Sequence, residues 1–323
     1  MIIVTGAAGF IGSNTIKALN DAGHTDILAV DDLTDGKKYI NIASYTIADY
    51  MDYKNFLQHI HSGELPENIE AIIHLGACST TTEWDGRYIM RVNYDYSKAV
   101  LHYCIKNKTP LVYASSAAVY GGSTEFLESA KKQLPLNVYG YSKWLFDQYM
   151  LKLLPTIKSQ VVGLRYFNVY GPHEQHKGSM ASVAFHLMNQ LNTNGAVKLF
   201  EGCDGYEDGA QLRDFIFVED VANINVWLTK NPQVSGIFNI GTGKAREFND
   251  IAKTLIDLNG SGQLEYIPFP DHLKGAYQSY TQADISKLRE AGYTQEFHTL
   301  EAGLKKYFDY RQAQRKLNIP ALQ

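Results

Sequence analysis

Short apolar runs alternate with helical patterns through the first half of the chain. Ile2 to Val4 form one such run, and a 3.6-residue apolar period through Ile16 and Leu19 follows it. Similar runs recur as DILAVDDL (26–33), AIIHLGA (71–77), PLVYASS (110–116) and VVGLRYFNVYG (161–171). Buried strands separated by helices are typical of a parallel sheet with helices on both faces. The pattern predicts an α/β fold with a doubly wound parallel sheet.

A glycine-rich turn separates the first strand from its helix. Gly6, Gly9 and Gly12 lie in this turn, and Asp31 ends the second apolar run 19 residues after Gly12. Glycines allow a close backbone approach, and the helix N-terminus offers free N–H groups to a pyrophosphate. A carboxylate at this distance is suited to bind the adenosine ribose. The combination predicts a Rossmann dinucleotide site rather than a glycine turn that only packs tightly.

Further polar residues follow the later strands. Residues 76–79, Ser115, Ser116 and residues 168–171 all come where a predicted strand ends. Ligands of doubly wound sheets bind beyond the carboxyl ends of the strands. We therefore expect the functional side chains to gather at this edge.

A tyrosine precedes a lysine by four residues in three places: Tyr50 with Lys54, Tyr94 with Lys98, and Tyr139 with Lys143. On a helix this spacing places the phenol and the ammonium on one face. A neighbouring lysine favours phenolate, which can act as an acid or base near neutral pH. With 22 tyrosines in the chain, chance alone predicts roughly one or two such pairs. The surrounding sequence must therefore show which of the three pairs is catalytic.

Only the third pair has a suitable neighbourhood. Tyr139 and Lys143 open a new helix after the strand end SSAAVYG, so that the hydroxyl of Ser116 can meet the phenol. The second pair lies on a helix expected over 85–106, where we expect it to pack. The first pair comes just past the strand predicted at YTIADY (45–50) and has no identifiable partner. We select Tyr139 and Lys143 as the catalytic pair.

Composition excludes several other classes of function. The 323-residue chain has a net charge of -4 and no basic stripe, so we expect no nucleic-acid partner. Cys78, Cys104 and Cys203 are scattered, which suits a reducing cytosol and indicates no disulfide framework. No apolar run reaches the ~18 residues that span a bilayer. We expect a cytoplasmic protein without membrane contact, and no metal because the histidines lack ligand spacing.

Several motifs resemble a known family. GAAGFIG, Asp31, GACS, SSAAVYG and the Tyr139–Lys143 spacing resemble the extended short-chain dehydrogenase/reductase superfamily. RDFIFVEDVA (213–222) and FNIGTG (238–243) resemble segments of its nucleotide-sugar members. From residue 1 to about 310 the chain is similar to the ADP-heptose 6-epimerase family, through ACSTTTEWDG (77–86), RYFNVYGP (165–172), HKGSMASVAFHL (176–187), LFEG (199–202) and EYIPFPDHLKGAYQ (265–278).

The resemblance implies an isomerase that inverts C6 of the heptose in ADP-D-glycero-D-manno-heptose, for lipopolysaccharide core synthesis. That carbon carries no acidic proton, so the reaction requires transient hydride transfer to a bound nicotinamide through a 6-ketone. Tyr139 would be one acid/base, with its pKa lowered by Lys143 and the oxidised nicotinamide. Ser116 would hold the reacting oxygen. Lys177 would be the second acid/base, on the opposite side of the sugar.

The resemblance also implies two sets of binding residues. The cofactor set is Gly6, Gly9, Phe10, Ile11, Gly12, Asp31, Asp32, Lys38, Leu75, Gly76, Ala77, Cys78, Ser79, Asn93, Lys143, Val169 and Lys177. The substrate set is Ser116, Asn168, Ser179, His186, Phe200, Glu201, Gly202, Cys203, Arg213 and Tyr277. The fork of Arg213 suits a diphosphate, the alternative being an ion pair with Asp214. For His186 the alternative is a histidine that packs against its neighbours with its polar end exposed and does not bind substrate.

The identity of the cofactor depends on a few charged positions. The resembling family uses NADP despite an acid at Asp31, and Lys37 and Lys38 can neutralise the additional phosphate. We therefore expect NADP. NAD remains the alternative because a carboxylate repels a 2′-phosphate. In addition, Tyr53 and Ala276 stand where relatives carry basic residues.

Two units are expected. Residues 1–167 should form the cofactor domain, to which about 213–240 return, and 168–323 should mainly form a smaller substrate domain. The resemblance implies a homo-oligomer, with a homopentamer as the expected form. The alternatives are another nucleotide-sugar epimerase, a 4,6-dehydratase, or a dinucleotide sensor without turnover. A sensor has no need for the Tyr139 phenolate.

Overall fold

A computed structural model of the protein describes residues 1–129, 133–271 and 277–316. The strands in these ranges are β1 (Ile2–Thr5), β2 (Ile27–Asp31), β3 (Asp49–Asp52), β4 (Ala71–His74), β5 (Leu111–Ser116), β6 (Val161–Tyr166), β7 (Asn168–Tyr170), β8 (Ala196–Phe200), β9 (Leu212–Phe217), β10 (Gly236–Ile240), β11 (Ala245–Glu247) and β12 (Gln263–Ile267). The α-helices are α1 (Phe10–Asp21), α2 (Tyr53–Ser62), α3 (Gly86–Ile89), α4 (Tyr96–Asn107), α5 (Val138–Leu153), α6 (Val183–Asn194), α7 (Val218–Thr229), α8 (Phe248–Asn259), α9 (Ser286–Glu290) and α10 (Leu300–Lys316).

Seven parallel strands form the central sheet, in the order β10-β6-β5-β4-β1-β2-β3. β1, β2, β4, β6 and β10 are buried along their whole length, which explains their continuous apolar sequences. The strand order changes direction between β1 and β4, and ligands bind at such a switch point. The expected doubly wound parallel sheet is confirmed.

The remaining strands form a second layer beside the ends of the central strands. β7, β9 and β11 make a three-stranded sheet, and β8 pairs with β12. Helices α6, α8 and α10 pack on these strands around one apolar cluster, which includes Phe185, Leu255 and Leu304. β7 follows β6 directly, so this layer begins at the carboxyl end of a central strand.

The segment 213–240 contributes to both layers. Its strand β9 lies in the three-stranded sheet, whereas β10 extends the central sheet beside β6. Helix α7 packs against α1, where Asn225 Nδ2 donates to Thr15 Oγ1 at 2.9 Å. The proposed boundary near residue 168, with a return of this segment, stays a prediction.

The helix expected over 85–106 is present at residues 86–107, with a π-helical turn at Met90–Asp95 between α3 and α4. Two other local expectations were wrong. The third strand begins later than expected, so that Tyr50 lies inside β3 and donates its hydroxyl to the Asp31 carbonyl at 3.0 Å. The apolar run 161–171 is two strands, because the chain leaves the central sheet at Phe167 and β7 pairs with β9.

Across the described ranges, none of the helices has the length and apolar character that a bilayer span would require.

Candidate active site

The glycine turn between β1 and α1 is tightly packed. Gly6 has φ +67°, and a Cβ there would lie 2.8 Å from the Gly76 amide nitrogen. A Cβ on Gly12 would lie 1.9 Å from the Gly6 carbonyl oxygen. Gly9 precedes α1 and has no side chain to cap the helix, so the first amides of α1 stay open to a ligand. These features fit the pyrophosphate of a dinucleotide.

The acid after β2 is part of a charged cluster. Asp31 is buried and accepts hydrogen bonds from the Ala8 amide at 2.7 Å and the Asp32 amide at 2.6 Å. The ammonium of Lys38 donates to Asp31 Oδ1, which also accepts from the Asp32 amide, and to the Asp32 carbonyl at 2.8 Å. Lys38 therefore neutralises Asp31 where a cofactor ribose would lie. Lys37 is exposed beside it.

A cavity of about 780 Å³ lies at the carboxyl ends of the central strands. It brings together most of the expected site residues: Gly6, Gly9, Phe10, Ile11, Gly12, Asp31, Asp32, Lys38, Leu75, Gly76, Ala77, Cys78, Ser79, Ser116, Tyr139, Lys143, Asn168, Val169 and Lys177. The expected cofactor residues thus share one space with the expected acid/base residues.

Tyr139 and Lys143 are positioned by the first turns of α5. Asn137 caps this helix by accepting a hydrogen bond from the Gly140 amide at 2.8 Å. Ser116 at the end of β5 lies beside the Tyr139 phenol, whose pKa it lowers. Lys143 donates to the Ala114 carbonyl at 2.9 Å. The expected meeting of a phenol, a hydroxyl and an ammonium is therefore present in the geometry.

A buried ion pair fixes α5 to the sheet below these groups. Asp147, one helical turn after Lys143, accepts hydrogen bonds from Ser115 Oγ at 2.9 Å and Arg165 Nε at 2.9 Å. Both side chains of the ion pair have 0% exposure. Arg165 comes from β6, so the pair joins α5 to two central strands and limits movement of Lys143.

The ionisation of the catalytic pair is governed mainly by burial. Burial raises the pKa of Tyr139 above its ordinary value, and Ser116 opposes this increase. Burial lowers the pKa of Lys143 to about 8, against the opposing influence of Asp147 and Cys78. The lowering of the Tyr139 pKa that we expected is therefore not produced by the chain's own residues. A cationic ligand beside the phenol would have to supply it.

Lys177 reaches the same cavity from the turn before α6. Its ammonium lies 5.3 Å from the centre of the Phe10 ring, at the start of α1. Burial lowers the pKa of Lys177, while the negative charge of Glu174 raises it. Lys177 and Tyr139 thus approach the cavity from different elements of the fold.

Arg213 lies in a buried aromatic cluster next to the cavity. Its guanidinium is 4.8 Å from the centre of the Tyr277 ring and 5.7 Å from that of Phe248. Phe248 also belongs to the cavity wall. The Asp214 carboxylate instead accepts hydrogen bonds from Thr242, Gly243 and Ala283. The alternative of an Arg213–Asp214 ion pair is wrong among the described residues.

The remaining substrate candidates are distributed around this cluster. Phe200 contacts Phe269, which contacts Tyr277 in turn, with ring centres 5.6 and 5.2 Å apart. Cys203 lies 3.8 Å from Ser279 Oγ. Glu201 and Gly202 are held through their amides, by the Ile267 carbonyl and by the Asp208 carboxylate respectively.

Besides Arg213, Tyr277 and residues 200–203, three more expected residues lie outside the wall that the described residues form. Ser179 is exposed in the turn after Lys177. His186 packs edge-on against Phe185, with ring centres 5.7 Å apart. Asn93 contacts the Cys78 backbone through its amide group, at 2.8 and 3.0 Å. Ala276 lies outside the described residues.

Several wall residues were not expected from the sequence. Tyr88 and Tyr96 line the cavity, as does Tyr53, which we had considered only as a lost basic contact. The apolar period placed Tyr96 in the core, and helical periodicity does not distinguish a core aromatic from one facing a cavity. Within the described ranges, no group of three or more acidic, histidine or cysteine side chains could hold a metal ion.

Comparisons with known proteins agree with this geometry. Residues 2–241 match the NAD dependent epimerase/dehydratase family. The ADP-L-glycero-D-manno-heptose-6-epimerase of Alkalilimnicola ehrlichii is 57% identical over 309 residues, which cover 96% of this chain and 97% of that protein. The crystal structure of the Helicobacter pylori enzyme of the same name is 32% identical, with a TM-score of 0.83 over 97% of this chain and 96% of its own.

A relative with a different substrate shares the architecture. The Thermotoga maritima UDP-glucose 4-epimerase, solved with UDP-glucose, is 26% identical and has a TM-score of 0.79 over 97% of this chain and 99% of its own. The much higher identity to the heptose epimerase discriminates between the two. The chain therefore belongs to the NAD dependent epimerase/dehydratase family and, within it, to the ADP-L-glycero-D-manno-heptose-6-epimerases.

Proposed function

We propose that this enzyme inverts C6 of the heptose in ADP-D-glycero-D-manno-heptose, giving the L-glycero epimer for lipopolysaccharide core synthesis. One observation carries the proposal: Tyr139, Ser116 and Lys177 border the same cavity as the glycine turn. The 57% identity to a heptose epimerase supports the choice of sugar.

The chemistry requires both acid/base groups. Because C6 carries no acidic proton, inversion has to proceed through a 6-ketone, and a bound nicotinamide supplies the acceptance and return of the hydride. Tyr139 removes the hydroxyl proton while Ser116 donates a hydrogen bond to the oxygen. Once the sugar presents its other face, the oxygen lies on the opposite side. Lys177 then exchanges the proton there, because one fixed phenol is poorly placed to serve both orientations.

Arg213 is proposed to bind the diphosphate of the nucleotide sugar. It is 6% exposed and stacks on Tyr277 and Phe248. Burial lowers the pKa of Arg213, and a diphosphate would compensate its desolvated charge. Asn168, Ser179, His186 and the segment 200–203 are proposed as further substrate contacts.

We propose NADP as the cofactor, with NAD as the alternative. Lys38 supports NADP because it already neutralises Asp31 and lies on the cavity wall. The neutral Tyr53 in that wall favours NAD, since it offers no charge to a 2′-phosphate. Mass spectrometry of the cofactor released from denatured protein tests this choice. Finding only NAD would reverse it.

The decisive experiment follows ADP-D-glycero-D-manno-heptose by proton NMR with purified protein. The wild type should give both C6 epimers without loss of water, which excludes a 4,6-dehydratase and a non-catalytic sensor. Tyr139→Phe and Lys177→Met should each lower kcat by at least about 100-fold, as expected for loss of a general acid/base. Both variants should retain the cofactor.

Matched controls come from the second tyrosine–lysine pair. The ammonium of Lys98 lies 4.9 Å from the centres of the Tyr94 and Tyr149 rings, away from the cavity wall. Tyr94→Phe and Lys98→Met should therefore leave kcat within about twofold of the wild type. Near-normal epimerisation by Lys177→Met would remove Lys177 from the mechanism.

We further propose that the enzyme is a cytoplasmic homopentamer. Family membership supports an oligomer, and size-exclusion chromatography with light scattering tests the number of subunits. A monomer in solution would contradict this part of the proposal.

A further inference from the structure

Glu174 is a carboxylate with 0% exposure at the base of the segment that carries Lys177. We call residues 171–182 the Lys177 loop. Glu174 is not on the cavity wall and has no role in the proton transfers proposed above. Burying a carboxylate is costly unless hydrogen bonds compensate its lost hydration. Its partners therefore indicate what it does.

Glu174 ties the two ends of the Lys177 loop together. At the first end, the Gly171 amide donates to its Oε1 at 3.4 Å. At the other end, Ser182 donates through its amide to Oε2 and through Oγ to Oε1, the latter at 2.7 Å. Tyr307 of α10 lies beside the same carboxylate and lowers its pKa. One side chain thus closes the loop and attaches it to the C-terminal helix.

The hydrogen-bond pattern requires an acceptor at this position. The two amides can only donate. Ser182 Oγ accepts a hydrogen bond from the Phe185 amide at 3.3 Å, so its proton is free for Glu174. Ser182 is also the N-cap of α6, where the helix dipole favours a negative charge. These donors favour the ionised carboxylate and oppose the effect of burial, which raises the pKa of Glu174.

Glu174 also influences Lys177 electrostatically. In the described part of the chain, it is the charged group that raises the pKa of Lys177 against the effect of burial. Helix α1 faces Lys177 with the Phe10 ring, and α10 faces Glu174 with Tyr307, which has Arg311 close to it. The neighbouring His176 has its pKa lowered to about 4 by burial, Lys38 and Lys177, so it is neutral near pH 7.

From these contacts we propose that Glu174 is a positioning residue for the epimerase reaction, holding the Lys177 loop closed and its ammonium directed into the cavity. This inference rests on the proposed function, because it assumes that Lys177 exchanges a proton with the sugar. It adds a residue that touches neither substrate nor cofactor and acts through Lys177.

The test compares Glu174→Gln with Glu219→Gln. The amide keeps the shape of Glu174 but removes its charge and directs an N–H toward groups that themselves donate. We expect kcat to fall about 10- to 100-fold, the usual effect of removing a supporting partner. The KM and the bound cofactor should stay within about twofold of the wild type. Glu219, an exposed acid paired with Lys306, provides the matched control. Glu219→Gln should leave kcat, KM and the bound cofactor unchanged.

A pH profile separates positioning from simple stability. Without the negative charge, Lys177 loses its proton more readily. The limb of the kcat profile that Lys177→Met abolishes should therefore move about one unit to lower pH. Tyr307→Phe removes the phenol hydroxyl beside Glu174 but keeps the charge, so it should lower kcat less and leave this limb in place. An unchanged kcat and profile in Glu174→Gln would overturn the proposal.

Hydrogen exchange gives a readout that does not depend on the reaction. Amides of the Lys177 loop should exchange faster in Glu174→Gln than in the wild type, with cofactor bound in both. Wild-type protein that fails to epimerise ADP-heptose would refute the proposed function, while the exchange result would still test the closing of the loop. If Glu174→Gln does not fold, Ser182→Ala and Tyr307→Phe supply the test. Normal kcat and loop exchange in both would contradict the proposal.

Discussion

The glycine turn of residues 6–12 borders the central cavity directly, and the cluster around Arg213 reaches the cavity through Phe248; the two are built differently. The turn is made from consecutive residues, and its geometry depends on the absence of side chains. The Arg213 cluster combines β9, α8 and Tyr277, whose side chains stack at 4.8 to 5.7 Å. One end of the cavity is thus defined by backbone and the other by side chains. Substitutions should therefore affect the two ends differently.

The largest effect is expected at the glycine turn. Gly12→Val would place its Cβ against the Gly6 carbonyl oxygen, at 1.9 Å before any movement. Because backbone cannot move aside cheaply, we expect a loss of about 3 kcal/mol in the free energy of unfolding and no bound cofactor. Chemical denaturation measures the free energy of unfolding, and the cofactor content after purification measures cofactor binding.

Gly122→Ala is the matched control for this prediction. A Cβ at Gly122 would meet only the end of the Leu136 side chain, at 4.0 Å. The Gly122→Ala variant should therefore retain its cofactor. Normal cofactor content in Gly12→Val would show that the turn does not define that end of the cavity.

An intermediate effect is expected at the side-chain end. Arg213→Ala removes the guanidinium but leaves the backbone of β9 in place, so the cofactor should remain bound. We expect KM for ADP-heptose to rise about 100-fold, the cost of losing charged hydrogen bonds to a diphosphate. Arg213→Lys should recover only part of the affinity because an ammonium lacks the planar fork. Steady-state kinetics measure these changes. An unchanged KM in Arg213→Ala would show that Arg213 does not bind the diphosphate.

The smallest effect is expected where the Lys177 loop packs against α1. His173 is buried beside α1, with its Nδ1 3.0 Å from Ser13 Oγ. Burial lowers the pKa of His173 from 6.5 to about 4, so the folded protein keeps it neutral while the unfolded chain takes up a proton below 6.5. Its contribution to stability is complete above pH 6.5 and is lost as the pH falls toward 4.

At pH 5 this loss amounts to about 2 kcal/mol. His173→Gln should therefore reduce the difference in unfolding free energy between pH 7.5 and pH 5 by that amount. His61→Gln, at an exposed position, is the control. Equal pH dependence in wild type and His173→Gln would show that His173 is not kept neutral by burial. Denaturation at the two pH values is the measurement.

The sequence was sufficient where function depends on neighbouring residues. The strand, glycine turn and helix at residues 2–21 follow from local apolar spacing and backbone freedom. Similarly, the helical spacing of Tyr139 and Lys143 placed both groups on the cavity wall. These features require few contacts between distant parts of the chain.

Local patterns failed where the contacts are distant in sequence. Tyr96 has the spacing of a core residue, and only its packing beside β1 and β4 shows that it faces a cavity. The burial of Glu174 depends on Ser182 and on Tyr307 from the last helix, which no short window contains. Arg213 was identified only through family resemblance. Its aromatic partners become apparent in the folded chain.

The path of the chain restricts how this enzyme can be redesigned. It leaves the central sheet after β6, returns at β10 and departs once more into β11. No single cut therefore separates the part that holds the nucleotide from the part that selects the sugar. A chimaera with a new sugar specificity would need several coordinated splice points, whereas exchanging one contiguous segment would disrupt both sheets.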